Sequence, residues 1–246
     1  MLVLLKKELN SFLSSLIGYI VISVFLTSIG LFMWVFPSST GNFNVLDAGY
    51  ANIDTLFIIA PWVFMFLVPA VTMRSFSEEK RAGTIEILLT LPLSDWQIIF
   101  AKYLAGFLLV LFSLLPTLVY YFSIRTLGNP QGNIDTGGMW GSYFGLLFLA
   151  GGFVAIGIFA SSVTNSQIIA FILAVFLSFF CYIGFESISS LDLFGSVDAL
   201  ILKLGINEHY ISMSRGVIDT RDVIYFASLA GVFLLLTKTV MESRKW

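Results

Sequence analysis

Six runs of about twenty apolar residues punctuate this chain, and they constrain its fold more than anything else in it. They fall at 16–36, 55–74, 100–124, 140–162, 167–186 and 222–241. Each is long enough to cross a hydrocarbon core about 30 Å thick. Backbone N–H and C=O groups have no water to bond to in lipid, so each crossing has to be helical. The fold class that follows is an all-α polytopic membrane protein with six transmembrane helices. Composition agrees: 11% of the 246 residues are charged and the mean hydropathy is +0.94. A soluble domain carries about 25% charged residues. The 25 phenylalanines are a matter of lipid contact and packing. A net charge of −2 with no basic cluster excludes a nucleic-acid surface.

Lys and Arg set the orientation. Lys6, Lys7, Arg74, Lys80, Arg81, Lys102, Lys238, Arg244 and Lys245 share one side; Arg125, Lys203, Arg215 and Arg221 share the other. The richer side is expected to be cytoplasmic, with both termini there. The first outer loop, 37–54, carries no Lys or Arg, in agreement. Trp34 and Trp140 sit where an outer interface is expected, and Trp96 where the inner one is. Lys6 and Lys7 precede a spanning-length run with no small-residue cleavage site, so the N-terminus does not read as a cleavable signal. Residues 2–15 place Leu2, Leu5, Leu9, Phe12 and Leu13 at helical spacing, with Lys6, Lys7, Glu8 and Asn10 between. That pattern predicts an amphipathic helix in the inner interface, leading into span one.

The segment 77–102 is the polar interruption with the most local signal. Ser77 reads as an N-cap, with Glu78 and Glu79 in the first turn, where the helix dipole favours negative charge. Ile85, Leu88 and Leu89 form an apolar face that Ile87 and Leu91 widen. Gly83 within that pattern implies close approach of another element, or a kink. Pro92 ends the helix. Ser94-Asp95-Trp96-Gln97 is a capping box, with Leu93 and Ile98 at the staple positions, so span three is expected to start near Asp95. Lys102 is expected to snorkel to the inner surface.

Elsewhere, Pro61 and Pro69 in span two and Pro116 in span three predict kinks satisfied by neighbouring helices, or hinges lining a moving path. Gly151, Gly152, Gly157, Ser161 and Ser162 give span four a small-residue face for close packing. Thr164-Asn165-Ser166-Gln167 reads as a capping box at a tight inner turn, and Asp219-Thr220-Arg221-Asp222 as the start of span six. The outer loop 187–221 holds Leu191-Asp192-Leu193-Phe194 and Ala199–Leu202, apolar enough to fold back on the membrane. Arg215 and Asp219 are its candidates for a partner contact or gate.

Several chemistries lack their residues. No G-x-x-x-x-G-K-[ST] run exists to cradle ATP phosphates. One histidine, His209, and one cysteine, Cys181, cannot supply the three or four ligands of a zinc site. No signature sets a serine beside His209 for nucleophilic catalysis. Glu186 and Lys238 sit at span ends, so the spans lack the buried carboxylates that mark ion relays. No catalytic, cofactor or metal residue is expected.

The run Glu79-x-x-x-Gly83-Thr84-x-Glu86-x-Leu88…Leu91-Pro92-Leu93…Ala101-Lys102 resembles the loop between spans two and three in the type-2 family of ABC exporter membrane subunits. The six spans, the N-terminal interfacial helix and the long outer loop resemble that family too, so the likeness covers nearly the whole chain. It implies a single transmembrane domain over 1–246, with a coupling helix at about 78–91 that docks on a separate ATPase subunit. The coupling residues would be Glu78, Glu79, Lys80, Arg81, Gly83, Thr84, Glu86 and Leu88. ATP would be bound by the partner and no cofactor by this chain. Asn207-Glu208-His209-Tyr210 with Ser214–Asp222 resembles the permeases of gliding-motility systems. That implies a bacterial inner membrane, a role in motility or surface secretion, and a second permease, a GldG-like auxiliary membrane subunit, or a homodimer. A structural anchor that passes on ATPase-driven work without moving a solute is the alternative. Reversing Glu79 or Glu86 to Lys is expected to lower ATPase co-purification without affecting membrane insertion.

Overall fold

The computed structural model describes residues 1–37, 43–49, 51–90, 92–191 and 195–243. Among these every regular element is helical, and six helices are long and apolar enough to cross a membrane. In chain order the elements are α1 (Leu2–Leu13), α2 (Leu16–Val35), α3 (Val45–Ala48), α4 (Asp54–Arg81), α5 (Ile85–Thr90), α6 (Asp95–Leu127), α7 (Thr136–Val163), α8 (Gln167–Ser189), α9 (Asp198–Leu202), α10 (Ile206–Ser214) and α11 (Thr220–Glu242). The six spans are α2, α4, α6, α7, α8 and α11. Leu91, Asp192, Leu193, Phe194, Arg244 and Lys245, and the side chains of Ile87 and Leu89, lie outside what is described.

Helix α7 is the axis of the bundle. It packs against α4, α6, α8 and α11, and against the short α10. Its small residues make that possible. A Cβ on Gly157 would sit 2.0 Å from the Thr72 hydroxyl of α4, so the two backbones can approach there only with glycine. Gly151 and Gly152 face Tyr103 of α6 and Leu229 of α11. The small-residue stripe is spent on contacts inside the chain.

The spans are longer and more broken than the apolar runs alone imply. α4 keeps its helix through Pro61 and Pro69 and breaks at Met73, beyond both. There Ser161 of α7 inserts its hydroxyl into the gap. It accepts from the Phe76 and Ser77 N–H groups at 2.9 and 3.1 Å and donates to the Met73 carbonyl at 2.9 Å. An inserted side chain is an ordinary cause of a kink. In α6, Pro116 produces a 3-10 turn, Leu115–Thr117, between two α segments. Single π turns widen α2 at Leu31–Val35 and α8 at Phe180–Gly184.

Two of the start signals fold as the sequence implies. Ser94 and Gln97 form the reciprocal box at the head of α6, and Asp219 caps α11 by accepting from the Arg221 N–H at 3.0 Å. At 164–167 the turn is tight, but Ser166 is the N-cap of α8 and gives no side-chain bond. Thr164 Oγ1 instead accepts from the Ser166 N–H at 3.2 Å. The threonine lies two residues upstream of the N-cap position and does not reach the helix.

α1 packs along the start of α6, and Lys238 near the end of α11 lies 5.5 Å from the Trp96 ring. This end of the bundle is called the terminal side below, and the opposite end the distal side. Replacing Gly157 by Ala is expected to cost about 1–3 kcal/mol through overpacking against Thr72. Gly231→Ala, where a Cβ meets nothing within 4 Å, is the neutral control; thermal unfolding in detergent compares the two.

Candidate functional site

On the terminal side, the segment joining spans two and three is not one helix beginning at Ser77. Ser77 is buried inside α4, with its hydroxyl turned back onto the Met73 carbonyl. The charges from Glu78 to Arg81 form the last turn of α4. Gly83 then terminates the helix. Its φ is +70°, the Gly83 N–H bonds to the Lys80 carbonyl at 3.3 Å, and the Thr84 N–H bonds to the Glu79 carbonyl at 3.0 Å. This pair of bonds around a left-handed residue is a Schellman cap. A Cβ on Gly83 would meet nothing within 4 Å, so backbone conformation and not close packing requires the glycine. The helix expected over 78–91 is therefore the end of α4, a capped turn, and the six-residue α5.

The charged residues divide into an outward and an inward set. Arg81, Gly83, Thr84 and Glu86 are exposed. Glu78 is exposed as well and pairs with Arg74 at 3.1 Å, one helical turn away. Such a surface pair contributes about 0–1 kcal/mol. Ile85 and Leu88 turn inward and are buried. Lys80 is buried too, and its ammonium bonds to the Ser162 carbonyl at the end of α7. A cation there satisfies a helix-terminal carbonyl and complements the negative end of the dipole.

Glu79 also turns inward, to meet Lys102. The Lys102 side chain is 1% exposed, so it does not snorkel to the surface. Its ammonium lies 3.0 Å from Glu8 Oε1, 3.0 Å from Glu79 Oε2 and 2.6 Å from the Ser75 carbonyl, and 5.1 Å from the centre of the Phe76 ring. Two of these are hydrogen bonds, to Glu8 and the Ser75 carbonyl, and Glu79 adds its charge as an ion pair. Lys7 closes the cluster, 3.3 Å from Glu79 and 3.5 Å from Glu8. Burial lowers the affinity of the Lys7 amine for its proton, but the Glu8 and Glu79 carboxylates outweigh it and hold the group above the usual lysine range. A raised lysine keeps its charge at neutral pH, so this contribution is lost only in strong alkali.

The cluster joins α1, α4 and α6, which are far apart in sequence. α1 is rotated from the face implied by its leucines: its buried stripe is Leu4, Glu8 and Phe12, while Leu2 and Val3 are exposed. The available signal was the spacing. A carboxylate four residues from an apolar neighbour on each side lies on the packed face and requires a cation.

On the distal side, α10 ties the spans together. Asn207 donates to Glu186 of α8 at 2.8 Å, and the Tyr210 hydroxyl donates to the Phe57 carbonyl of α4 at 2.7 Å. His209 stacks on Tyr225, with Nδ1 2.8 Å from Asp222 and Nε2 2.9 Å from the Lys203 carbonyl. Ser212 lies nearby but donates to Asp222 Oδ2 at 2.5 Å. A hydrolytic triad needs the serine on the far imidazole nitrogen, and here a backbone carbonyl holds that place. The arrangement is a latch. Among the described residues no group of three or more His, Cys, Asp or Glu could hold a metal. Arg215 is exposed on the rim of a cavity of about 550 Å³, Asp219 serves as the α11 cap, and no ion pair joins them among the described residues.

Removing one member of a buried ion pair typically costs about 3–5 kcal/mol. Lys102→Met, which strands Glu8 and Glu79, is expected to lose that much in detergent unfolding. Glu86→Gln, at an exposed position, is expected to stay within about 0.5 kcal/mol. Equal effects of the two would refute the inward assignment of Lys102.

No curated protein matches the chain. The family model described as ABC-2 family transporter protein matches residues 37–203, which is more than half of the chain. The matched stretch holds α3 to α9, including the capped turn at Gly83 and the start of α6 with Lys102. With its six candidate spans and this match, the chain belongs to the ABC-2 family of transporter proteins, as a multi-pass membrane permease domain.

Proposed function

We propose that this chain is the membrane subunit of an ATP-driven exporter in a bacterial inner membrane, with the terminal side in the cytoplasm and an ATPase subunit docking on the segment 78–91. ABC-2 permeases pair with an ABC ATPase. The observation that carries the docking site is the division of that segment. Arg81, Thr84 and Glu86 face outward, while Lys80, Ile85 and Leu88 hold the same short stretch on the bundle. A solvated loop would need no inner anchoring, and a movable arm would lack it. Force applied at the outer set passes through Glu79 into α6 and α1, and along α4 to the Ser161 bridge with α7. Glu79, Lys80 and Leu88 then transmit the force, and the exposed residues receive it.

The finer reading is a GldF-like permease of a gliding-motility or surface-secretion system, with a GldA-like ATPase and a GldG-like auxiliary subunit or a second permease copy. Asn207–Tyr210 and Ser214–Asp222 support it by their resemblance. In this structure Asn207, His209 and Tyr210 are packing residues, so their likeness follows shared architecture more directly than shared cargo.

Glu86→Lys and Arg81→Glu are expected to reduce the amount of ATPase subunit retained on the purified permease several-fold, with the thermal midpoint unchanged. Full retention by both variants would overturn docking at this turn. Orientation has its own test. Thr84→Cys should react with a membrane-impermeant maleimide only after permeabilisation, against low background because Cys181 is buried. Labelling of intact cells would place the terminal side outside.

A further inference from the structure

Trp62 of α4 lies where two cavities meet. On its distal side is a cavity of about 480 Å³ between α4, α8 and α10, lined by Phe57, Trp62, Tyr182, Tyr210, Glu186 and Asn207 among others. Toward the middle of the span is an almost wholly apolar groove of about 680 Å³ between α2, α4 and α8, also lined by Trp62, with Ile20, Val24, Phe66 and Phe171. The two differ in chemistry and share Trp62 as a common wall.

The distal cavity has the composition of a cation receptor. Four aromatic rings line it, and aromatic faces attract ammonium groups. Among the described residues Glu186 is its one carboxylate, and no Lys, Arg or His lines it. The groups are held in place: Trp62 packs edge-on to Tyr182 with ring centres 6.1 Å apart, and Tyr210 is tied to the Phe57 carbonyl. Asn207 donates to Glu186 Oε2 at 2.8 Å, which orients the carboxylate and leaves Oε1 for a donor from a ligand.

The groove is long enough for an extended acyl chain. Its lining on α4 runs from Ile59 to Ala70, about 17 Å along a helix axis. Half of a hydrocarbon core is about 15 Å. An amine and an acyl chain joined in one molecule satisfy both cavities at once, and the junction at Trp62 places the headgroup at the span end.

We propose that these cavities together bind a phospholipid with a primary-amine headgroup, its ammonium between Glu186 and the aromatic rings and one acyl chain in the groove. A primary amine can donate to Glu186 Oε1, which a quaternary ammonium cannot, and an anionic headgroup would be repelled. The inference is independent of ATPase docking, because the cavities share no residue with 78–102.

The test uses the purified full chain, delipidated in mild detergent and then offered phosphatidylethanolamine or phosphatidylglycerol, with retention read by native mass spectrometry. Retention of phosphatidylethanolamine is expected to exceed that of phosphatidylglycerol about threefold, the effect of one partly exposed ammonium contact. Glu186→Gln, which keeps the acceptor for Asn207, is expected to bring the ratio near one, and Trp62→Ala to lower retention of both lipids. A wild-type ratio near one, or a ratio unchanged in Glu186→Gln, would overturn the headgroup assignment. Disulfide cross-linking of Val24→Cys between copies would show that a second chain fills the groove, and would overturn the acyl-chain assignment.

Discussion

An ammonium group taken out of water needs acceptors and opposite charge, and at Lys102 these come from two other helices: Glu8 of α1, and the Ser75 carbonyl and Glu79 carboxylate of α4, the last as an ion pair. The desolvation cost is offset only while all three are in place. The position of α1 across the head of α6, the inward turn at Glu79 and the run of α4 past the end of its apolar stretch are therefore mutually dependent. The cluster sits directly beside the Schellman cap at Gly83, so the exposed turn that follows inherits a fixed base. A short surface element with few contacts of its own is held in register by buried charge beneath it.

The second organising contact is the meeting of α4 and α7. Thr72 packs where Gly157 leaves room, and Ser161 supplies the hydroxyl that the broken helix at Met73 requires. One turn further, Lys80 bonds to the Ser162 carbonyl at the end of α7. Spans two and four are thus joined by polar groups through the stretch where span two leaves its apolar run. In a lipid environment apolar packing alone gives helices little reason to choose one neighbour, and close backbone approach with paired polar groups supplies the choice. Under the proposed reading, this joint is where a displacement of the capped turn would reach the centre of the bundle.

The distal side is organised differently. α10 is not a loop resting on the bundle. It is a clasp whose Asn207, His209 and Tyr210 each reach a different element, at Glu186, Asp222 and Phe57. The run Asn207–Tyr210 is accounted for by this packing. The aromatic cavity beside Trp62 exists because this clasp holds Tyr210 and Asn207 over the ends of α4 and α8.

The six spans, the box at Ser94–Gln97 and the cap at Asp219 could all be read from the chain, because each rests on local spacing or simple residue counts. Hydrophobic length alone requires a helix in lipid, and a capping box involves four consecutive residues. The partners of Lys102, Ser161 and Tyr210 could not be read in this way, since they lie between 23 and 153 positions away. Gly83 shows the boundary most clearly: its position in an apolar pattern suggested a helix interior, and only the positive φ identifies it as an end. The sequence by itself determined that this protein forms six helices long and apolar enough to cross a membrane. Which charged residues face outward and which lock the bundle was decided by tertiary structure, because burial turns a charge from a surface feature into a requirement for a distant partner.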